Sequence, residues 1–314
     1  MKIGILTLRL FKNYGGILQN YALSRFLQKN GYDVETINIV WSYQLNGVKK
    51  YFVWLKRLVR NMLIGKWYSL DEEKILRNNE LVAAQRVNAF KEKNIPLSQK
   101  VYSLPGADFS DISNKYDTII VGSDQVWRPK YTGGIEKYFL SFADNRIKKI
   151  AYSASFGTDK NEYSFYEKWV CGKLIKRFDA ISVREESAIS LIREQLHWDV
   201  DVIQTLDPTM LLDITDYKSL VGQVVNNNKI FVYILDSSVQ KISFVEKLEK
   251  VLCMPGFTIT PKGMDNKSAY VMPPVETWLR ALLESEFVFT DSFHGCVFSL
   301  SLIHISEPTR PISI

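Results

Sequence analysis

The chain has 314 residues, of which 46% are hydrophobic and 24% are charged, and this is the composition of an ordinary globular protein. It excludes a disordered or fibrous protein, and the length suffices for two domains with a core each. The formal net charge of +6 suits nucleic acid, an anionic membrane surface or a polyanionic small substrate, and net charge alone does not choose between them.

The N-terminus runs straight into a strand-like segment, without the basic and long apolar regions of a signal peptide. No apolar run approaches membrane-spanning length. The three cysteines lie far apart without a CxxC pair, which argues against a disulfide framework or a zinc site. We therefore expect a cytoplasmic protein without a bound metal.

Strands and helices alternate along the first part of the chain. Gly15 and Gly16 are predicted to form a loop before a helix at 17–28, and a mainly helical region is predicted at about 44–93. The strands predicted here are 2–8, 34–40, 118–121, 147–153 and 180–183. This alternation predicts an α/β fold with a mostly parallel sheet covered by helices on both faces.

A second strand and helix series follows Asp207-Pro-Thr209, a segment that we expect only to shape the chain between domains. Its predicted elements are strand 229–235, helix 239–252, strand 258–260, helix 275–284 and strand 287–290. We place the domain boundary near Leu212. The prediction is an N-terminal domain of residues 1–212, with the helical insertion, and a second domain of residues 213–299.

The densest basic stretch, 49–66, interleaves aromatic and aliphatic residues with lysine and arginine at helical spacing. An amphipathic basic helix of this kind can rest on the inner face of a membrane. A surface helix that buries its aromatic face against the protein is the alternative, and it is the more common arrangement. The sequence leaves both readings open.

Two glycine-containing segments follow predicted strands. In 13–19 (NYGGILQ), Gly15 and Gly16 permit close backbone approach, and the N–H groups could hold a phosphate or carboxylate. The segment is neither GxGxxG nor a P-loop. In 122–127 (GSDQVW), Ser123, Asp124, Gln125 and Trp127 suit sugar recognition, because hydroxyls need donors and acceptors while an indole stacks on a sugar face. A turn with a capping aspartate is the alternative.

Arg184 stands where a predicted strand runs into a helix, and its guanidinium could hold a phosphate or carboxylate with two parallel hydrogen bonds. A surface pair with Glu185 or Glu186 is the alternative.

The most informative segment is 286–295 (EFVFTDSFHG), because an apolar strand ends abruptly in Ser292, His294 and Gly295. Ligands of α/β proteins bind outside the carboxyl ends of strands, and a glycine after the histidine lets a helix start close to an anion. The alternative is a capping residue and a half-buried histidine. HExxH and GxSxG are absent from the sequence.

Taken together, segments 2–7 with 13–23, 116–127, 181–185 and 290–295 resemble the polysaccharide pyruvyl transferase family in order and spacing. The resemblance implies two Rossmann-like domains facing a cleft, similar to the GT-B glycosyltransferases. It implies transfer of a pyruvyl group from phosphoenolpyruvate to sugar hydroxyls as a ketal, in bacterial polysaccharide or cell-surface glycan assembly. The partners implied are phosphoenolpyruvate and a sugar or lipid-linked oligosaccharide, with no cofactor and no nucleic acid.

Residue by residue, the resemblance implies that His294 is a general acid, which protonates the enol carbon or assists departure of phosphate. Arg184 matches an arginine that holds the phosphoenolpyruvate anion, and Asp124 lies where a base toward the sugar hydroxyl is expected. Many family members carry arginine two residues before the histidine, and here that residue is Ser292. Phosphate binding would then depend on Arg184 and on the helix N-terminus near Gly295.

Two other functions remain open at this level. One is a GT-B glycosyltransferase that uses a nucleotide-linked sugar on the same two-domain frame. The other is a sugar-binding relative that has lost catalysis, suggested by Ser292 in place of arginine.

The final residues, 300–314, resemble a translated sequencing adapter. We therefore expect the native sequence to end near Ser299, the second domain to be incomplete and the remainder to be a non-native tail. Its first residues should extend the helix begun near Gly295 by a turn or two, and Pro308 and Pro311 should stop it.

Overall fold

The computed structural model describes residues 1–41, 72–103, 109, 112, 114–259 and 271–302. The strands are β1 (Lys2–Leu6), β2 (Asp33–Thr36), β3 (Ile39–Trp41), β4 (Val101–Ser103), β5 (Thr118–Val121), β6 (Lys148–Ala154), β7 (Ala180–Val183), β8 (Ile203–Gln204), β9 (Ile230–Tyr233), β10 (Gly256–Phe257) and β11 (Phe287–Thr290). The α-helices are α1 (Tyr14–Lys29), α2 (Glu72–Ala83), α3 (Gln85–Asn94), α4 (Pro129–Thr132), α5 (Phe165–Ile175), α6 (Glu186–Ser190), α7 (Ile214–Val221), α8 (Val239–Leu252), α9 (Val275–Glu284) and α10 (Phe293–Leu302).

The largest sheet has six parallel strands in the order β2-β1-β5-β6-β7-β8. Strands β1 and β5 are mainly apolar and are buried from their second and first residue onward, as expected for strands covered on both faces. The strand order reverses between β1 and β5, which makes this the switch point where ligands of α/β proteins bind. The predicted α/β fold with a parallel sheet is confirmed.

A second parallel sheet has the order β10-β9-β11, and its order reverses between β9 and β11. The chain passes from the first sheet to the second between Gln204 and Ile230, an interval that includes Leu212, where the sequence places the domain boundary. Strands β3 and β4 form a separate two-stranded sheet.

The helices of the two sheets share one apolar core. Tyr14 of α1 stacks on Trp278 of α9, with ring centroids 5.7 Å apart. Trp278 in turn meets the ring of Phe298 of α10 edge-on at 5.3 Å. All three residues belong to one buried cluster that also contains Ile17 of α1 and Tyr217 of α7. Helix α1 therefore packs against the second sheet's helices as well as on its own sheet.

Three sequence predictions about local structure were wrong in detail. Gly15 and Gly16 lie in the first turn of α1 and not in a loop, because the extended backbone of Asn13 already starts the helix at Tyr14. The strand predicted at 34–40 is two strands, since β3 leaves the large sheet to pair with β4. The strand predicted at 258–260 is β10, which ends at Phe257.

Several sequence predictions fall outside the described residues. They are the first part of the helical region, including the basic stretch 49–66, and the tail from 303 onward. Helix α10 does continue through Leu300 to Leu302, whose side chain is buried. Within the described ranges, no helix is both long enough and apolar enough to cross a bilayer.

Candidate active site

The residues singled out by the sequence lie just beyond the carboxyl ends of the strands. Helix α1 follows β1, Asp124 follows β5, Arg184 follows β7 and His294 follows β11. The switch points of both sheets therefore contribute to one region.

His294 packs directly on Gly15 in the first turn of α1. A β-carbon added to Gly15 would lie 2.2 Å from both Cγ and Nδ1 of the His294 ring, so a larger residue cannot stand there without moving the imidazole. The ring is buried, and its Nε2 lies 3.7 Å from Oδ2 of Asp207. That separation exceeds a normal hydrogen bond, and Nε2 has no hydrogen-bond partner within the described structure.

Asp207 is the charged group that the other side chains share. Its Oδ1 accepts hydrogen bonds from the N–H and the hydroxyl of Thr209, and its Oδ2 accepts one from Ser123 at 3.0 Å. The same Oδ2 lies 3.5 Å from Nη1 of Arg184. Burial raises the pKa of Asp207, but His294, the Thr209 N–H and the Arg184 guanidinium outweigh it and lower the pKa to about 2. A buried carboxylate thus lies next to an imidazole and a guanidinium.

Arg184 is held from several sides. Nη1 donates to the carbonyl oxygen of Ser123 at 2.9 Å, and Nη2 donates to the hydroxyl of Ser155 at 3.0 Å. The ring of Phe293 covers one face of the guanidinium, at 4.0 Å from Cζ to the centroid. The buried Nε has no hydrogen-bond partner in the described structure, although Oε2 of Glu185 lies 3.5 Å away. The guanidinium is fixed in place and retains N–H groups for an anion.

Asp124 lies against the same first turn of α1, since its Oδ2 would be 2.9 Å from a β-carbon on Gly16. Its Oδ1 accepts the N–H of Gln125, which makes it a turn-capping residue as well as a carboxylate facing a helix N-terminus. Gln125 packs on Gly157, whose left-handed backbone and missing side chain leave it room. Asp124 and His294 therefore flank two successive glycines of α1.

Serine hydroxyls line the interior of this region. The hydroxyl of Ser123 donates to Asp207 and lies 3.2 Å from the hydroxyl of Ser153, and the hydroxyl of Ser182 accepts the N–H of Ser153. Ser153 has a left-handed backbone, with φ of 51°, where β6 loses its regular register against β7. Strained, buried residues at a strand end are characteristic of functional sites.

Three residues predicted to bind substrate have structural roles instead. Trp127 is fully buried, stacks on Phe139 and donates its N–H to the carbonyl of Tyr138, so it offers no face to a sugar. The hydroxyl of Ser292 accepts the Gly295 N–H and begins α10. A side chain at Gly295 would collide with Thr290, so this glycine allows α10 to pack on β11, and its N–H is not free for an anion.

Asp207 and Phe293 also belong to this site, and neither is among the residues predicted from the sequence. Asp207 was interpreted as part of a connecting segment, although an aspartate before proline at the end of an α/β strand follows the same rule that singled out His294. The serines of β6 and β7 also follow that rule. Phe293 gave no signal, because its contact with Arg184 joins parts of the chain that are distant in sequence.

The arrangement suits chemistry on an anionic substrate. It combines a fixed guanidinium, an imidazole beside a buried carboxylate, a second carboxylate and the positive end of α1, which the Asn13 side chain does not cap. In the part of the chain that the structure describes, no cluster of three or more histidine, cysteine or acidic side chains is placed to bind a metal.

Two solved structures show the level of similarity to known folds. An alpha-glucosyltransferase in complex with UDP has a TM-score of 0.46 at 12% identity, over 92% of this chain and 72% of that chain. An alpha-glucosyltransferase in complex with UDP and a 13-mer DNA containing a HMU base has a TM-score of 0.46 at 11% identity, over 92% and 71% of the two chains. These identities and TM-scores are too low to indicate a substrate for this chain. No curated protein matches the sequence.

Residues 13–302 match the sequence model of the family described as Polysaccharide pyruvyl transferase. The match covers nearly the whole chain and includes every candidate residue described above. It confirms the resemblance inferred from the motifs, and it makes the chain a transferase by family. The protein therefore belongs to the polysaccharide pyruvyl transferase family.

Proposed function

We propose that this protein transfers the pyruvyl group of phosphoenolpyruvate to a sugar as a ketal, in the cytoplasmic assembly of a polysaccharide or lipid-linked oligosaccharide. The observation that carries the proposal is the shared position of His294 and Arg184 around the buried Asp207, at the N-terminus of α1. Family membership supports the reaction type. The donor and the acceptor are our inference.

In this proposal Arg184 binds the phosphoenolpyruvate anion. Its charge is partly balanced by Asp207, and its Nε is the buried donor without a partner in the described structure. A phosphate or carboxylate oxygen reaching that nitrogen would complete its hydrogen bonding, and the first-turn N–H groups of α1 would face the same anion. Phe293 would shield the guanidinium from water on one face.

His294 serves as the general acid. A proton from its ring adds to the methylene carbon of phosphoenolpyruvate and makes the methyl group, while positive charge develops at the carbon that bears the phosphate. A sugar hydroxyl adds to that carbon and loses its proton to Asp124. The carbon–oxygen bond to phosphate then breaks, and a second hydroxyl of the sugar adds, closes the ketal and loses its proton to the released phosphate. The net products are the ketal and inorganic phosphate.

Asp207 acts as a positioning residue for this acid. It is the only acidic side chain that forms an ion pair with His294 among the described residues, and Ser123 and Thr209 fix the orientation of its carboxylate. A carboxylate in this position can hold the imidazole ring in one orientation toward the substrate.

Thermal melting with candidate donors tests the proposal directly. Phosphoenolpyruvate should raise the melting temperature of the wild-type chain, and Arg184→Ala should reduce that rise without affecting a ligand bound elsewhere. A UDP-sugar that raises the melting temperature while phosphoenolpyruvate does not would instead favour the glycosyltransferase function.

Turnover is measured as phosphate released from phosphoenolpyruvate in the presence of oligosaccharides with neighbouring free hydroxyls, and the product is identified by its added mass. His294→Asn should abolish release and retain the melting shift caused by phosphoenolpyruvate. Phosphoenolpyruvate binding without turnover on any acceptor would indicate the inactive, sugar-binding relative.

A further inference from the structure

Helix α5 presents an aromatic cluster to solvent that no feature of the candidate site uses. Phe165, Tyr166 and Trp169 in its first two turns are 89%, 70% and 54% exposed. A large apolar side chain exposed alone is common, but three aromatic rings within five residues form a patch. The opposite side of the helix is anchored in the core by Cys171 and Ile175.

Lysines surround this aromatic cluster. Residues 165, 169, 172, 173 and 176 are spaced by three and four positions and therefore share one face of α5, and Lys173 and Lys176 extend that face by another turn. Lys173 Nζ lies 3.6 Å above the ring of Trp169. A groove of about 390 Å³ beside the helix is lined by Phe165, by Trp169 and by three lysines, and its lining contains no acidic side chain.

The start of α5 is held rigidly. Ser164 and Glu167 form a capping box, in which the serine accepts the Glu167 N–H and the glutamate accepts the Ser164 N–H. The Glu167 carboxylate is therefore hydrogen-bonded to the start of the helix. The aromatic rings protrude from a fixed platform and not from a loose loop.

Topology places this platform at the edge of the sheet where the candidate site lies. Helix α5 connects the parallel strands β6 and β7, so it must begin at their carboxyl ends and run back across the sheet. The loop that leads into α5 starts at Ser155, which binds Arg184. A surface that meets the α5 aromatic cluster therefore lies on the same side of the molecule as the site.

We propose that the α5 aromatic cluster, with Lys168, Lys173 and Lys176, docks this protein on an anionic lipid bilayer. Protruding aromatic rings suit the boundary between headgroups and acyl chains, and the lysines suit anionic headgroups. The positive charge of this face argues against a second copy of the chain as the occupant, because the lysines of two such faces would repel one another. The inference does not depend on the proposed reaction.

Cosedimentation with lipid vesicles tests the proposal. The full chain should bind vesicles of phosphatidylcholine mixed with phosphatidylglycerol, should bind pure phosphatidylcholine weakly, and should be released by salt. Replacing Phe165, Tyr166 and Trp169 together by alanine should weaken binding at least tenfold. Lys173→Ala with Lys176→Ala should weaken it about 25-fold, since each lysine near such a surface contributes about fivefold.

A matched control replaces three exposed apolar residues of α8, Val239, Phe244 and Val251, by alanine. This variant should bind vesicles as the wild type does. Melting temperatures and gel filtration verify that all variants fold and report their oligomeric state.

Failure of the wild type to bind the anionic vesicles would overturn the proposal. Undiminished binding by the α5 aromatic variant would also overturn it, because the attachment would then lie elsewhere on the chain. Equal loss in the α8 variant would indicate non-specific apolar adsorption, and a dimer that the α5 variant converts to a monomer would identify a second copy as the occupant.

Discussion

The substitution Asp207→Asn isolates the charge at the centre of the candidate site. Asparagine has the same shape, and its amide oxygen can still accept both hydrogen bonds from Thr209. Its amide nitrogen, however, would replace Oδ2, the oxygen that lies 3.5 Å from Arg184 and 3.7 Å from His294. A donor would then face two donors, and the Arg184 charge would lose its buried counterion.

The expected loss of stability follows from the same contacts. The pKa of Asp207 lies at about 2 against an ordinary 3.8, which corresponds to about 2.5 kcal/mol in favour of the charged form. Removing one member of a buried ion pair costs about 3–5 kcal/mol. Because the Thr209 hydrogen bonds survive, we expect a loss of about 3 kcal/mol, or a melting temperature lower by about 4–5 °C.

The dependence on pH gives a second measure. A carboxylate whose pKa is lowered by folding stabilises the protein above its unfolded pKa of about 4, and this stabilisation is lost as the pH falls toward 2. The stability difference between wild type and Asp207→Asn should therefore be full at pH 7 and shrink between about pH 5 and pH 2. Denaturant unfolding at a series of pH values measures it.

Asp216→Asn is the matched control. Asp216 is a buried aspartate like Asp207, but its partner is the half-exposed Lys29, and this pair lies between α1 and α7. The Asp216→Asn substitution should lower the free energy of unfolding by about 1 kcal/mol and leave turnover unchanged. If Asp207→Asn destabilises the protein no more than Asp216→Asn, and its stability relative to wild type does not change with pH, the role assigned to Asp207 is wrong.

Three further predictions concern single residues. Gly15→Ala should lower turnover at least 100-fold, because its β-carbon displaces the His294 ring. Gly122→Ala should have nearly wild-type turnover, because the nearest atom to its β-carbon is 3.6 Å away. Equal turnover of the two variants would refute the proposed packing of His294 on Gly15. Arg184→Lys should raise the KM for phosphoenolpyruvate and change kcat less, because lysine keeps the charge without the planar fork, and an unchanged KM would contradict its role. Trp127→Phe should lower the free energy of unfolding by about 1–3 kcal/mol and leave turnover unchanged, because Trp127 contacts only the core. A variant that keeps full stability but loses turnover would show instead that Trp127 contributes to the site.

Much of the fold could be predicted from the sequence because strands and helices alternate with clear apolar periodicity. The helices at 239–252 and 275–284 and the strand at 287–290 were predicted with the bounds that the structure has. His294, Arg184 and Asp124 could be proposed because each follows a strand of a parallel sheet, and such ends meet at one edge. Their chemical roles stay predictions.

The remaining errors have a common physical cause, which is that contacts distant in sequence decide what a side chain does. Trp127 looks like a sugar-stacking residue until Phe139 and Tyr138 are seen around its ring. Gly295 looks like part of an anion site, but Thr290 explains why a glycine is there. Asp207 looks like a linker residue until three strands bring Ser123, Arg184 and His294 to it.

The common core of the two sheets limits how this enzyme can work. Swinging the sheets apart would separate Tyr14 from Trp278, both almost fully buried, and expose aromatic area worth several kcal/mol. Because His294 belongs to one side of this contact and Gly15 to the other, the same motion would also separate the His294 ring from Gly15. We therefore expect turnover without a large domain motion, in a site that the half-exposed Phe293 borders beside Arg184.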